Sequence, residues 1–159
     1  MVEKNQNMKD LWELLKTIPD PEIPVIDIVE LGIVRDAQYV DAQHVKIWIT
    51  PTYSACPAMY SIEEDIVSLF QKEGLVAEVI TQLSPVWTTG WITEEAREKL
   101  RVYGIAPPDQ DGENWEKPVL CPRCQSSQTK MISRFGSTLC KASYQCESCL
   151  EPFDYFKCH

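Results

Sequence analysis

The sequence predicts an α+β fold, a small α-β-β-α-β-α sandwich followed by a small β module held by four cysteines. Three observations carry this. Over residues 8–105 the apolar pattern switches between the period of helices and the two-residue period of strands. Six of the seven cysteines lie after residue 120, four of them as two Cys-x-x-Cys pairs. Residues 106–118 between these regions are acidic, carry three prolines and show no periodicity, as a linker does. The expected layout is therefore a domain over 8–105, a linker over 106–118 and a module over 119–159.

The first helix is read from Met8, Leu11, Trp12 and Leu15, spaced i, i+3, i+4, i+7, with Ile18 beyond them. Pro19 and Pro21 end it, because neither continues a helix and each pushes its predecessor into extended conformation. Asp20-Pro21-Glu22-Ile23-Pro24 follows as a stiff loop with two carboxylates. Ile28 to Val34 reads as a strand in which Gly32 marks a bulge or a close backbone approach. Val45, Ile47 and Ile49 alternate with Lys46, Trp48 and Thr50, so the second strand buries one face.

The next helix carries a stripe of Met59, Ile62, Ile66, Leu69 and Phe70, with Glu63, Glu64 and Asp65 placed in its first turn and Gly74 ending it. Leu75 to Leu83 gives a third strand. Trp87 and Trp91 lie in a loop and are expected over helix ends. Thr93 caps the last helix, Glu94 and Glu95 suit its positive end, Ala96, Leu100 and Tyr103 face inward, and Gly104 stops it.

Between the second strand and its following helix stands Thr50-Pro51-Thr52-Tyr53-Ser54-Ala55-Cys56-Pro57. Pro57 suits the first helical position, where its missing N–H is not needed. A thiol at Cys56 meets the positive end of the helix dipole and unpartnered backbone N–H groups, and both favour thiolate, the form that binds metal or attacks. Position alone leaves an inert, packed cysteine equally open.

Cys121-Pro122-Arg123-Cys124 and Cys146-Glu147-Ser148-Cys149 are separated by 21 residues. Two residues between cysteines let both sulfurs reach one ion from a tight turn, and four thiolates satisfy a tetrahedral Zn²⁺. Iron takes the same ligands, so either Zn or Fe is expected. A module of this size buries little core and needs such a staple. A closed four-cysteine site leaves no open position, so its expected role is structural. Residues 128–134 and 138–145 read as a hairpin turning at Phe135-Gly136-Ser137. On an extended strand Cys140 would lie roughly 20 Å from Cys146, too far for the same ion. Cys140 and Cys158 are either packed thiols or additional ligands of a second, labile site shared with Cys56.

Composition narrows the function classes. The 159 residues are 44% hydrophobic, enough for a core, and no apolar run approaches the roughly 20 residues that span a bilayer. Met1 to Asp10 is polar, without a signal region, so a cytoplasmic protein with no membrane partner is expected. The net charge is −9, with 10 basic against 21 acidic residues before residue 119 and 5 against 3 after it. An acidic body repels phosphate backbones, which excludes nucleic acid as the main partner. There is no Glu-x-x-His pair, no glycine-rich dinucleotide fingerprint, and only His44 and His159 could serve as imidazole bases. A catalytic role is not expected.

Residues 19–105 resemble the iron–sulfur cluster assembly family of SufT and the MIP-type targeting factors. The resemblance rests on Asp20-Pro21-Glu22-Ile23-Pro24, on Glu30-Leu31-Gly32-Ile33-Val34 and on Thr50 to Pro57. With the tail, the chain resembles the PaaD (PaaJ) family encoded with phenylacetyl-CoA epoxidase. Trp87-Thr88-Thr89, Trp91, Phe135-Gly136-Ser137-Thr138, Cys140-Lys141-Ala142 and Glu151 to Cys158 carry that match. The resemblance implies a small α+β sandwich and an accessory role in aerobic phenylacetate catabolism. It implies help with iron–sulfur cluster assembly or delivery to an epoxidase component, the [2Fe–2S] flavoprotein reductase. Cys56 matches the family position for a cluster or iron ligand, with Asp20, Glu22, Thr50 and Thr52 around it. One thiolate per chain invites a cluster bridged by a homodimer or by a partner. The alternative is a non-catalytic docking scaffold with a purely structural metal, in which the tail and the Trp87–Trp91 loop hold the oxygenase components.

Overall fold

The computed structural model describes residues 11–53, 56–108 and 117–157. The chain divides into two compact units between Trp87 and Thr88.

In the first unit α1 (11–15) buries Leu11 and Leu15 completely and half-buries Trp12. Its end tightens, Thr17 N–H reaching Leu14 O at 3.0 Å and Ile18 N–H reaching Leu15 O at 3.2 Å, as helix ends do ahead of a proline. Met8, the first residue of the expected stripe, lies outside the described residues. The loop that follows is fastened at both ends: Asp20 N–H donates to Ile26 O at 2.9 Å and Ile28 N–H to Ile18 O at 3.1 Å.

The strand expected over Ile28 to Val34 is a correction. Residues 28–32 form turns, and β1 runs over Val34–Tyr39. Asp27 explains the difference. Its carboxylate accepts the N–H groups of Val29 and Glu30, both at 2.8 Å, and its carbonyl accepts Leu31 N–H at 3.0 Å. These local bonds take the backbone groups that a ladder would need. Gly32 stands at φ +80°, a turn conformation that other residues reach only with strain, and the register irregularity falls later, between Val34 and Asp36. Ile28, Leu31 and Ile33 are nonetheless buried.

β2 (His44–Ile49) pairs antiparallel with β1 and parallel with β3 (Val76–Thr81), giving a three-stranded sheet in the order β1-β2-β3. Val45, Ile47 and Ile49 are fully buried, as their alternation requires. Parallel neighbours need a crossover, supplied by α2 (Ala58–Lys72), whose Ala58, Ile62, Ile66 and Phe70 repeat every four residues against the core. Glu63, Glu64 and Asp65 lie beyond the first turn, which holds no acidic residue, and are solvated. Gly74, at φ +77°, turns the chain toward β3.

The second unit begins with a 3₁₀ turn over Thr89–Trp91 and α3 (Glu94–Tyr103). Thr93 Oγ1 accepts Ala96 N–H at 3.1 Å, and Gly104 at φ +98° ends the helix. Ala96 and Leu100 are buried, but Tyr103, expected inward, is exposed. Ile105 and Ala106 fill the inward side directly after Gly104. They form β4 (Ile105–Ala106), which pairs parallel with β7 (Pro152–Phe156). That pairing ties α3 to the second unit, so the division falls before this helix, whereas the sequence places it after residue 105. β7 in turn pairs with β6 (Lys141–Cys146), and β6 with β5 (Thr129–Ser133), in the order β4-β7-β6-β5. The hairpin expected over 128–145 is β5 and β6. The unit's core is small: Ala106, Cys121, Ala142, Tyr144, Cys146 and Phe153, with Tyr144 stacked on Phe153 at 5.8 Å between ring centres.

Asp20 is a buried polar residue of the first unit. Its Oδ1 accepts the N–H groups of Glu22 at 2.9 Å and Ile23 at 2.8 Å. Removing a buried acceptor costs the desolvation of the donors it leaves. Asp20→Ala is expected to lower unfolding free energy by about 2 kcal/mol in urea denaturation, with Asp20→Asn recovering most of the loss through its amide oxygen.

Candidate functional site

Each unit holds one cysteine centre. In the first, β2 ends at Ile49 and Thr50 N–H closes the sheet edge by donating to Ile33 O at 2.8 Å. Cys56 N–H donates to Tyr53 O at 3.1 Å, and Cys56 O accepts Met59 N–H at 3.3 Å as the helix starts. Pro57 has the helical angles φ −67° and ψ −22° expected of it, although the regular helix is counted from Ala58.

The Cys56 thiol is half-buried, and its pKa lies above the ordinary value. Burial is the largest cause. The Ala58 N–H opposes it, as a helix start should, the Glu22 carboxylate raises it further, and the Tyr53 and Thr52 side chains lower it. The thiolate expected from the helix start is therefore corrected: desolvation and a nearby negative charge outweigh the backbone donor.

Two of the sequence candidates influence the thiol, Glu22 through its charge and Thr52 through a side-chain hydrogen bond. So does Tyr53, which sequence reasoning missed although it lies in the same connection. Asp20 spends its Oδ1 on the backbone of the loop that carries Glu22, which makes it a positioning group. Thr50 is buried, and its hydroxyl has no hydrogen-bond partner among the described residues. Native folds retain few such groups.

In the second unit two tight turns present the other cysteines. Gln125 N–H donates to Cys121 O at 2.9 Å, and Gln125 takes φ +63°. Cys149 N–H points at Cys146 Sγ at 3.4 Å, and Leu150 takes φ +65°. The Sγ atoms of Cys121, Cys124, Cys146 and Cys149 all lie within 4.8 Å of one another. Cys121 and Cys149 sulfurs are 3.7 Å apart, and those of Cys124 and Cys146 3.5 Å. Thiolates ~2.3 Å from a tetrahedral ion stand about 3.8 Å apart, so the donor set fits zinc or iron. Two polar links join the turns around it: Arg123 to Glu151 at 2.6 Å, and Ser126 to Ser148 at 2.8 Å.

Neighbouring thiols pull Cys146 and Cys149 in opposite directions. Backbone N–H groups, Cys149's above all, draw Cys146 down to about 6. Cys149 receives the Glu151 N–H, yet burial and the thiols of Cys124, Cys146 and Cys121 push it up to about 12. A bound dication would remove that conflict and cross-link the two turns, its contribution being structural.

Cys140 stands just before β6, buried and 3.0 Å from Thr138 Oγ1, and does not belong to the four-sulfur group. Cys158 lies outside the described residues. His44 is exposed and bonds both carboxylate oxygens of Asp41 at 2.8 Å, a surface pair. Trp87 is buried, its Nε1–H donating to Leu31 O at 2.9 Å, so it packs on the turn before β1 rather than on a helix end.

Two family models match separate stretches of the chain. Residues 9–79 match the iron–sulfur cluster assembly protein family, and residues 106–157 match the PaaD zinc beta ribbon domain. The chain is 50% identical over 152 residues to an Escherichia coli K12 protein named as a component of 1,2-phenylacetyl-CoA epoxidase, covering 94% of this chain and 92% of that one. It is 31% identical over 97 residues to an Fe-S protein maturation auxiliary factor of Porphyromonas gingivalis W83, covering 60% of this chain and 91% of that one. Among solved structures a DUF59 domain from Bacillus anthracis aligns with a TM-score of 0.58 at 24% identity, over 62% of this chain and 95% of that one, a likeness of fold. Among the described residues no helix is long and apolar enough to cross a membrane.

Two expectations follow. Iodoacetamide should alkylate Cys56 at neutral pH more slowly than a free cysteine, and Glu22→Gln should speed it by removing the charge that opposes thiolate. Peptide-resolved mass spectrometry across a pH series reads both. Because the raised Cys149 and Cys124 thiols must lose protons to bind an ion, zinc affinity should strengthen as pH rises from 6 to 8, measured by chelator competition.

Proposed function

The chain belongs to the PaaD family of phenylacetyl-CoA epoxidase components, with an iron–sulfur cluster assembly domain ahead of its ribbon, and from that premise we propose a maturation role. The protein acts as a cytoplasmic accessory factor of a phenylacetyl-CoA epoxidase system, assisting assembly or delivery of a cluster to the flavoprotein reductase. The observation that carries this reading is a half-buried thiol at the β2–α2 junction of the assembly domain, with Glu22, Thr52 and Tyr53 acting on it and no histidine beside it in sequence.

The cluster is cargo in this reading. At rest Cys56 keeps its proton, because burial and Glu22 disfavour the charge. Ligation forms an iron–sulfur bond, breaks the S–H bond and releases the proton to solvent. One thiol per chain holds such cargo loosely, so the remaining ligands come from a second copy or from the client, and transfer exchanges one thiolate for another. The four-cysteine centre stays outside this exchange, because its ligands are all committed to one ion.

A docking scaffold is the second reading, and the raised thiol favours it, since an inert packed cysteine has the same property. The buried Trp87 takes one of the two expected docking tryptophans out of it.

Anaerobic reconstitution of the wild type and Cys56→Ser, followed by transfer to apo-reductase, separates the two. The carrier reading expects the variant to lose at least tenfold in transfer rate while keeping its tail metal and its binding to epoxidase components. Equal transfer by the variant would overturn it in favour of the scaffold.

A further inference from the structure

The three-stranded sheet of the first unit leaves β3 at its edge, paired with β2 alone. Val76 N–H donates to Gln43 O at 2.7 Å and Gln82 N–H to Ile49 O at 2.8 Å, both toward the β2 side. Backbone groups alternate in direction along a strand, so those of Ala77, Val79 and Thr81 point away from the sheet. Among the described residues none of the three has a backbone partner on that outer side.

Open edges are ordinarily blunted by a bulge, a proline, a lysine or shortness. β1 and β5 carry register irregularities, and β4 is two residues long. β3 has none of these devices: its register against β2 runs unbroken from Val76 to Thr81, and its sequence is Val-Ala-Glu-Val-Ile-Thr. Val76 and, just beyond the strand, Leu83 are each 59% exposed.

We propose that the β3 edge pairs antiparallel with the same edge of a second copy of this chain, joining two sheets about a two-fold axis at Val79. The strand is complementary to itself in that register. The outward backbone groups meet one another, Val79 of one copy with Val79 of the other and Ala77 with Thr81, so each pair exchanges both of its hydrogen bonds. Glu78 is the one charged residue of the strand. It falls opposite Ile80 rather than opposite itself, and it is already paired within its own sheet with Lys46 at 3.6 Å. No like charges meet across the axis. An isologous contact asks one surface to fit itself, and this strand does.

Pairing of two short strands covers a modest area, and two chains of net charge −9 repel one another. The dimer is therefore weak, and it tightens as salt screens the repulsion. Antiparallel pairing sets the two β2–α2 connections, each with its Cys56, at opposite ends of the joined sheet. The contact is thus independent of cargo binding.

The test is amide hydrogen exchange by ¹⁵N NMR on the full chain with zinc in its four-cysteine site, at low and at millimolar protein concentration, with sedimentation velocity over the same range. Sedimentation should pass from monomer to dimer. Exchange at Ala77, Val79 and Thr81 should slow with concentration, while Glu78 and Ile80, already bonded to β2, stay unchanged. Thr81→Pro removes an outward donor and no ladder bond within the chain, and Val79→Lys sets two ammonium groups side by side on the axis. Each should weaken dimerisation at least tenfold, ~1.4 kcal/mol, and Cys56→Ser should dimerise as the wild type does. The exchange pattern is read on the wild type, so it decides the matter even where a variant fails to fold. A monomer at millimolar concentration, a dimer whose added protection lies elsewhere, or unchanged dimerisation in both variants would overturn the proposal. A chain that stays monomeric while an epoxidase component protects the same amides would overturn it as well, because the edge would then serve a partner's strand.

Discussion

Parallel pairing of β2 with β3 is the constraint on which the first unit depends. Two parallel strands cannot be joined by a tight turn, so the chain must leave the sheet after Ile49, cross it and return. That crossover is α2, and its buried stripe of Ala58, Ile62, Ile66 and Phe70 is the surface it brings back to the core. Burial of Ile62, Ile66 and Phe70 contributes about 1.5–3 kcal/mol each, which holds the helix in place. Cys56 lies in the connection between the end of β2 and the start of α2. Its location is thus a consequence of topology, and its environment is set by what the loop before β1 delivers, namely Glu22.

The second unit solves a different problem. Its core is too small to hold four strands, one of them two residues long, and two of the core side chains are themselves metal-site cysteines. Cys121 and Cys146 are both fully buried and part of the sulfur group, so core and metal site are one structure. β4 then recruits α3 by pairing with β7, and Arg97, packed where α3 meets that edge, becomes a buried cation as a result.

Much of this was legible in the sequence because periodicity and spacing act locally. The alternation of Val45, Ile47 and Ile49 fixed β2, the stripe through Phe70 fixed α2, and two Cys-x-x-Cys pairs identified the sulfur group. What escaped depends on contacts between distant residues. Ile28 to Val34 is apolar enough for a strand, but Asp27 redirects its backbone. β4 is two residues long and owes its strand character to β7, as β7 owes its own to β6. Tyr103 has helical spacing, yet the chain turning at Gly104 hands the inward side to Ile105. Arg97 looks like an ordinary helix-surface arginine until Pro108 and Thr89 close over it.

The two cysteine centres differ in the quantity that decides what each can do. In the four-cysteine group every thiol has other thiols as neighbours, and Cys146 and Cys149 are driven in opposite directions, an arrangement that a bound cation would relieve. Such a site has reason to keep its ion. Cys56 has the opposite balance: its neighbours are a carboxylate and two hydroxyl-bearing side chains, and its neutral form is the comfortable one. A ligand on Cys56 must displace a proton that the surroundings favour, and when it leaves, the proton returns to a site already suited to it. On the proposed carrier reading, this balance lowers the free energy of holding cargo where release is needed. The Glu22 charge raises the cost of the Cys56 thiolate. An acidic side chain beside a half-buried thiol makes physical sense where binding must be reversible.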